Sequence, residues 1–132
     1  MYDAVDGIDD NDRRNWDMPY LISNFNANTL YTGTYRLYKS TSGNFPFWQP
    51  ISGDLTKGPL GQANRNTISV IEESKLVSGT LFCGTSDGKV WRTTNGGNNY
   101  TEITPGLPNR YVTDLEVSSL SANLVIVSHS GY

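Results

Sequence analysis

The chain repeats a short strand-like sequence, and this repeat limits the folds open to it more than any other feature. Residues 30–34 (LYTGT) return as residues 81–85 (LFCGT) and, more loosely, as residues 124–128 (LVIVS). Around the last two copies the match has no gap, since residues 78–81 align with residues 121–124. Repeats of about 40 to 50 residues that consist of short strands are typical of repetitive architectures. The sequence therefore predicts several similar units in succession.

A second element follows the first two copies, because residues 37–43 (LYKSTSG) match residues 90–96 (VWRTTNG). An aromatic residue comes next in each case, first Trp48 and then Tyr100. Short apolar runs between polar turns indicate strands. The predicted strands are 18–23, 29–34, 36–40, 48–51, 67–72, 80–85, 89–93, 100–104, 111–117 and 123–128. Four short strands joined by tight turns form one antiparallel sheet, and no segment has a helical pattern.

The predicted fold is all-β, a partial β-propeller over residues 18–132 that is built from four-stranded antiparallel blades. Residues 18–51 and 67–104 each form one blade, and residues 111–132 form half of another. Residues 1–17 are predicted to be an acidic loop that leads into the first blade. Propellers use about four to eight blades and close into a ring, which protects their sheet edges. We therefore expect a fragment or a subunit whose partners are the remaining blades or other proteins.

Composition excludes several classes of function. The formal net charge is −3, which disfavours partners such as nucleic acid and anionic membrane surfaces. No apolar run is long enough for a transmembrane helix, and residues 1–18 are too polar for a secretory signal. The single cysteine, Cys83, has no partner for an internal disulfide and is predicted to be a buried, inert thiol.

The turn after the third strand of each blade is the best-formed motif. In residues 93–100 (TTNGGNNY), the Asn95 side-chain oxygen can accept hydrogen bonds from the backbone N–H groups that follow it, and the two glycines permit left-handed geometry. The Tyr100 ring can then close over the turn. The predicted structural turn residues are Ser40, Ser42, Gly43 and Trp48 in the first copy, and Thr93, Asn95, Gly97 and Tyr100 in the second.

This motif resembles the Asp-box, or bacterial neuraminidase repeat, in which Ser-x-Asp-x-Gly-x-Thr-Trp recurs on successive propeller blades. Asn95 stands where the family has Asp, and Tyr100 stands where it has Trp. The earlier copy keeps Ser40 and Trp48 but has Ser42 in place of Asp. With the strands around these turns, residues 16–132 look like the sortilin-like and xyloglucanase-like repeats of secreted bacterial proteins. The resemblance implies a propeller in a secreted, periplasmic or cell-surface protein, but one repeat type serves enzymes, receptors and assembly factors alike.

A glycoside hydrolase needs two carboxylates across a sugar-binding cleft. The candidates outside the acidic N-terminus are Asp54, Glu72, Glu73, Asp87, Glu102, Asp114 and Glu116, and no pair among them stands out. A sialidase also needs a cluster of arginines, whereas the arginines here occur singly. Arg65 and Arg110 recur before the first strands of successive blades, which repeat geometry explains. We therefore assign no catalytic residue.

Metal and sugar sites have weak support in the sequence. The acidic residues 6–12 could offer oxygen ligands to calcium, but their spacing does not follow the Asp-x-Asp-x-Asp pattern, and a solvated loop is the favoured interpretation. His129 has no histidine or cysteine companion in sequence, so no metal site and no cofactor is predicted. The aromatic residues Trp16, Tyr20, Trp48 and Trp91 could stack on a sugar, although packing between blades is favoured.

The favoured function is therefore a non-catalytic propeller scaffold or interaction module. Binding is expected on the links before the first strands and on those strands, at Arg65, Arg110, Tyr111 and Asp114. Rigid blades suit this role because they hold variable loops in place. One alternative is a fragment of a carbohydrate-active hydrolase, with carbohydrate as its ligand. A second alternative is an assembly-factor-like subunit of a membrane complex.

Overall fold

The computed structural model describes residues 6–13, 18–56, 66–103, 111–121 and 125–129. Its strands are β1 (Tyr20–Ile22), β2 (Leu30–Gly33), β3 (Leu37–Ser40), β4 (Gln49–Pro50), β5 (Ile68–Glu73), β6 (Leu81–Thr85), β7 (Val90–Thr93), β8 (Thr101–Glu102), β9 (Val112–Val117) and β10 (Val125–His129). The described part of the chain contains strands, turns and irregular links but no helix. The fold class is therefore all-β, as predicted.

The strands form three antiparallel sheets in chain order. The first sheet has the order β1-β2-β3-β4, the second has the order β5-β6-β7-β8, and the third consists of β9 and β10. Every neighbouring pair is antiparallel, and within the described residues no sheet closes on itself. Each predicted strand position carries a strand, but the fourth strands are short, and Trp48 and Tyr100 lie just before them. The predicted ends at Thr104 and Asn123 lie outside the described residues.

The first sheet packs face to face on the second, and the second packs on the third. Apolar residues of both sheets and of the link after β4 fill the first junction: Tyr31, Leu37, Leu55, Ile68, Ile71, Leu81 and Cys83. The second junction buries Phe82, Val90, Val112, Leu115 and Val117. Cys83 is buried at the first junction, as predicted, and burial raises the pKa of its thiol to about 12.

One close contact recurs at both junctions. A β-carbon added to Gly33 would lie 3.0 Å from Ile68, and one added to Gly84 would lie 2.4 Å from Val112. Ile68 and Val112 are the first residues of β5 and β9, the leading strands of the second and third sheets. The repeated glycine therefore leaves room for the first strand of the following sheet.

The register of the third sheet corrects the sequence alignment by one residue. In the second sheet Glu73 pairs with Leu81, and in the third Val117 pairs with Val125. Val125, rather than the predicted Leu124, therefore takes the place of Leu81. In both sheets the pairing register also shifts near the start of the leading strand, opposite residues 84–85 in the second sheet and residues 128–129 in the third. The register shift therefore recurs at equivalent positions. The pairing of both strands decides this register, whereas the alignment used the similarity of one strand alone.

The predicted acidic loop is irregular and mostly exposed over residues 6–13, but Ile8 and Asp12 in it are buried. Ile8 packs against Tyr38 and Trp48 on the first sheet. The Trp48 N–H donates to the Asp6 carbonyl at 2.9 Å. The stretch therefore covers the part of the first sheet around Tyr38 and Trp48, on the face that points away from the second sheet.

Candidate functional site

Both predicted turns are held by side chains at the same two positions. In the first sheet the Phe47 N–H donates to the Ser40 hydroxyl at 3.0 Å and to the Ser42 hydroxyl at 3.2 Å. The Ser42 hydroxyl also donates to the Phe45 carbonyl at 2.7 Å. Gly43 has a φ of +65°, which favours glycine. Two serine hydroxyls thus hold this turn.

The second turn uses an amide in the same place. The Asn95 Oδ1 accepts a hydrogen bond from the Asn99 N–H at 3.0 Å, and the Thr93 hydroxyl accepts one from the Gly97 N–H at 3.0 Å. Gly97 has a φ of +100°, and a β-carbon there would lie 2.9 Å from the Tyr100 hydroxyl oxygen. The Tyr100 ring therefore lies under its own turn.

Two aromatic residues of the second sheet also bond to the link that follows the first sheet. The Tyr100 hydroxyl donates to the Ile51 carbonyl at 2.9 Å, and the Trp91 indole N–H donates to the Leu55 carbonyl at 2.6 Å. Burial raises the pKa of the Tyr100 phenol, which therefore stays protonated as a donor. Both rings pack against the core between the sheets. These bonds join neighbouring sheets.

The aromatic residues do not form one exposed platform. Trp48 is buried and Trp91 packs in the sheet junction, as described above. Tyr20 is exposed, and its ring centroid lies 6.3 Å from that of Trp48 in a tilted arrangement. Trp16 lies outside the described residues. Two of the three described members thus serve packing, and Tyr20 is the exposed one among them.

Two of the predicted binding residues, Arg65 and Arg110, lie outside the described residues. Tyr111 precedes β9 and is 40% exposed. Asp114 is exposed in β9, and its carboxylate accepts a hydrogen bond from the Leu115 N–H at 2.9 Å. The structure therefore places Tyr111 and Asp114 on or beside the leading strand of the third sheet.

Glu72 interacts with the charge of Asp114, although the two residues are far apart in sequence. Glu72 lies in β5, which packs against β9, and it is half-buried. Burial raises its pKa, the negative charge of Asp114 raises it further, and Lys75 partly opposes the rise. Two carboxylates thus interact across a sheet junction. The sequence does not predict this interaction, because only the packing of β5 against β9 brings the two carboxylates together.

Most other carboxylates are engaged in holding the fold. Glu73 is fully buried, and its carboxylate accepts hydrogen bonds from the Ser23 hydroxyl at 2.9 Å and from the Asn24 N–H at 2.6 Å. Asp54 accepts a hydrogen bond from Arg13 at 2.7 Å. These bonds connect the second sheet with the loop after β1, and the N-terminal stretch with the link after β4.

Asp12 is the centre of a buried polar network on the first sheet. Its carboxylate accepts hydrogen bonds from the Tyr38 hydroxyl at 2.6 Å, the Thr34 hydroxyl at 2.8 Å and the Arg36 Nε at 3.0 Å. Burial raises the pKa of Asp12, but the bonds from Arg36, Tyr38 and Thr34 and the charge of Arg36 outweigh burial, so the net pKa is lowered. The network gives this buried acid its hydrogen-bond partners. Among the described residues, no three His, Cys, Asp or Glu side chains are grouped to hold a metal ion.

The grooves on the surface of the described residues include two that have charged side chains in their lining. One has a volume of about 330 Å³ beside β3 and β4, where Lys39, Phe47 and Gln49 line it. The other has a volume of about 270 Å³ at the end of the third sheet, where Lys75, Leu120 and Ile126 line it. Neither groove contains the carboxylate pair of Glu72 and Asp114.

The described part of the chain has no helix that could cross a membrane. Comparison of the chain with protein-family models, with curated proteins and with solved structures gives no significant match.

Proposed function

We propose that this chain is part of a β-propeller that serves as a non-catalytic scaffold or interaction module in an exported protein. The observation that carries the proposal is the repeated junction, in which Ile68 seats on Gly33 and Val112 seats on Gly84. Successive sheets that pack face to face through one recurring contact fit the radial arrangement of propeller blades. Each four-stranded sheet would then be one blade.

The turns support the same proposal. Ser42 and Asn95 take equivalent places and bond to the backbone N–H just before Trp48 and Tyr100, respectively. An aromatic residue anchored by such a turn is the feature that resembles the Asp-box. The exported location is proposed from this resemblance.

The use of the carboxylates favours a scaffold over an enzyme. Glu73, Asp12 and Asp54 each accept hydrogen bonds that join separate segments of the chain. Glu73 and Asp12 are buried, and buried carboxylates in such networks stabilise one arrangement of the fold and are not free to bind a substrate. Binding is instead proposed on exposed residues of the links and leading strands, where Tyr111 and Asp114 lie.

A carbohydrate-active hydrolase is the second candidate, and Glu72 is the observation that favours it. A carboxylic acid whose pKa is raised by burial and by a neighbouring carboxylate is suited to general acid catalysis. Asp114 is the neighbouring carboxylate that would act as base or nucleophile. Both residues would then line the channel side of the proposed propeller.

Hydrolysis of a panel of aryl glycosides and soluble polysaccharides by the purified chain separates these two functions. The scaffold predicts the same background release of sugar from the wild type and from Glu72→Gln. The hydrolase predicts release that Glu72→Gln and Asp114→Asn abolish. Glu116→Gln is the matched control, because Glu116 is an exposed carboxylate on the same strand as Asp114. Turnover that only the control retains would overturn the scaffold proposal.

A further inference from the structure

The large apolar side chains that stay exposed are concentrated at one end of the sheets. Neighbouring strands are antiparallel, so the loop after the first strand of each four-stranded sheet and the loop after its third strand lie at the same end. We call this end the loop end, and it includes the loop after β9, which takes the same place in the third sheet. Its described residues are 23–29, 41–48, 74–80, 94–100 and 118–121. Six of their side chains are between 45% and 92% exposed: Phe25, Phe45, Phe47, Leu76, Val77 and Leu120.

Contacts between the loops show that the loop ends of the three sheets adjoin one another. The Asn24 Nδ2 donates to the Ser74 carbonyl at 3.4 Å, which joins the loop after β1 to the loop after β5. Lys75 and Leu120 line the same groove, so the loop after β5 also adjoins the loop after β9. The loop end is therefore one surface that runs across all three sheets.

An exposed apolar residue recurs at one position of this surface in every sheet. Phe25, Leu76 and Leu120 each lie two residues after a serine, and that serine hydroxyl accepts their backbone N–H at 3.1, 3.0 and 2.9 Å, respectively. Exposed apolar residues are ordinarily scattered singly, so a position that repeats three times indicates a common surface. The serine also gives the backbone donor a partner, which a water-poor surrounding requires.

The loop end carries almost no charge. The chain has 13 aspartate and glutamate residues, but the described residues of these loops include none of them and only one cation, Lys75. Their other polar residues are mainly asparagine, serine and threonine. Two carboxylates adjoin the loops, Glu116 in β9 and Asp6 beside Trp48, and neither lies within a loop. Apolar side chains separated by amide and hydroxyl groups suit a boundary between water and hydrocarbon.

We infer that the loop end docks on a lipid bilayer with zwitterionic headgroups, into which the exposed phenylalanine and leucine side chains insert. This inference rests on the proposed scaffold function and names the partner of its interaction surface. A bilayer is fluid, so it accommodates apolar side chains that project from separate loops, and the strength of binding follows the apolar area that is buried. The net charge of −3 and the single loop cation provide no attraction to anionic lipids, which favours zwitterionic headgroups.

Flotation of the full chain with phosphatidylcholine vesicles tests the docking. The wild type is expected to float with the vesicles, and Leu120→Asn or Phe47→Asn is expected to weaken binding about fivefold or more, because each removes a large apolar side chain from the bilayer. Tyr20→Asn is the matched control, because Tyr20 is 60% exposed but lies in β1, where it pairs with Thr32 away from the loop end. Circular dichroism and a cooperative urea transition establish that each variant is folded. A folded wild-type chain that leaves the vesicles unbound would overturn the inference, as would equal weakening by Tyr20→Asn.

Fluorescence quenching locates the inserted residues independently. Leu76→Trp and Leu120→Trp each place a reporter at the loop end, and Tyr20→Trp places one on β1. Vesicles of brominated phosphatidylcholine are expected to quench the two loop reporters and to spare the third, once the wild-type signal is subtracted. Quenching of the Tyr20→Trp reporter alone would contradict this orientation.

Two further outcomes separate the partner from the function. Self-association that Leu120→Asn abolishes, in a chain that does not bind vesicles, would identify a second copy as the partner and overturn the bilayer. If vesicle binding fails while the chain lacks glycosidase activity and keeps its stacked sheets, only the choice of the bilayer is wrong, and the scaffold proposal stands.

Discussion

At the scale of single residues, the glycines at the sheet junctions carry the tightest packing. A β-carbon on Gly84 would lie 2.4 Å and 2.7 Å from Val112 side-chain atoms, so the third sheet must shift to admit it. Gly53 is a matched control, because a β-carbon there meets no atom within 4 Å. Gly84→Ala is expected to lower the free energy of unfolding by about 1 to 3 kcal/mol, the usual cost of overpacking. Urea unfolding of Gly84→Ala and Gly53→Ala measures this difference, and equal effects would contradict the close junction.

The Asp12 network makes a second prediction at this scale, on pH dependence. Its folded pKa lies below the ordinary value of 3.8, so the ionised form contributes stability that is present above the unfolded pKa. That contribution is lost as the pH falls through the folded value. Urea unfolding between pH 7 and pH 2 is therefore expected to show a steeper loss of stability for the wild type than for Asp12→Asn.

At neutral pH, Asp12→Asn is expected to be less stable than the wild type by about 1 to 3 kcal/mol, because charge-assisted hydrogen bonds are lost. Asp10→Asn serves as the control, since Asp10 is an exposed acid of the same stretch. Identical pH profiles for the wild type and Asp12→Asn would show that the network does not stabilise the fold.

At the scale of elements, the turn before β8 does two things at once. It connects β7 to β8, the last strand of the second sheet, and it places the Tyr100 hydroxyl within hydrogen-bond distance of the Ile51 carbonyl beside the first sheet. Tyr100→Phe removes this bond and keeps the ring, so the free energy of unfolding is expected to fall by about 0.5 to 1.5 kcal/mol. Tyr20→Phe is the control, because that ring is exposed. Equal unfolding curves for the two variants would show that the bond between the sheets contributes nothing.

The strands were predictable because each is a short run of apolar and β-branched residues between polar turns. Leu81–Thr85 and Val90–Thr93, for example, flank an Asp-Gly turn that favours a hairpin. The register of the third sheet was not predictable in the same way. It depends on pairing between β9 and β10, and similarity along β10 alone placed it one residue away.

The candidate site was predictable only in part. Asp114 was identified from its place in a leading strand, but its interaction with Glu72 depends on how two sheets pack. The burial of Asp12 was hidden for a similar reason, since its partners Thr34, Arg36 and Tyr38 lie in a different segment of the chain. Local sequence gives the type of each element, whereas contacts between elements decide which polar groups are buried.

At the scale of the whole molecule, three sheets of one repeat are joined by the same contact. The proposed propeller explains these regular junctions. It requires that successive sheets are related by one repeated rotation. A propeller needs that rotation to proceed about a common axis beside the leading strands β1, β5 and β9.

Residual dipolar couplings of the backbone N–H groups in β2, β6 and β10 measure that rotation most directly. The propeller predicts that the rotation from the first sheet to the second equals the rotation from the second to the third, about one axis alongside the leading strands. Sheets related by translation alone, or by two unrelated rotations, would contradict the propeller.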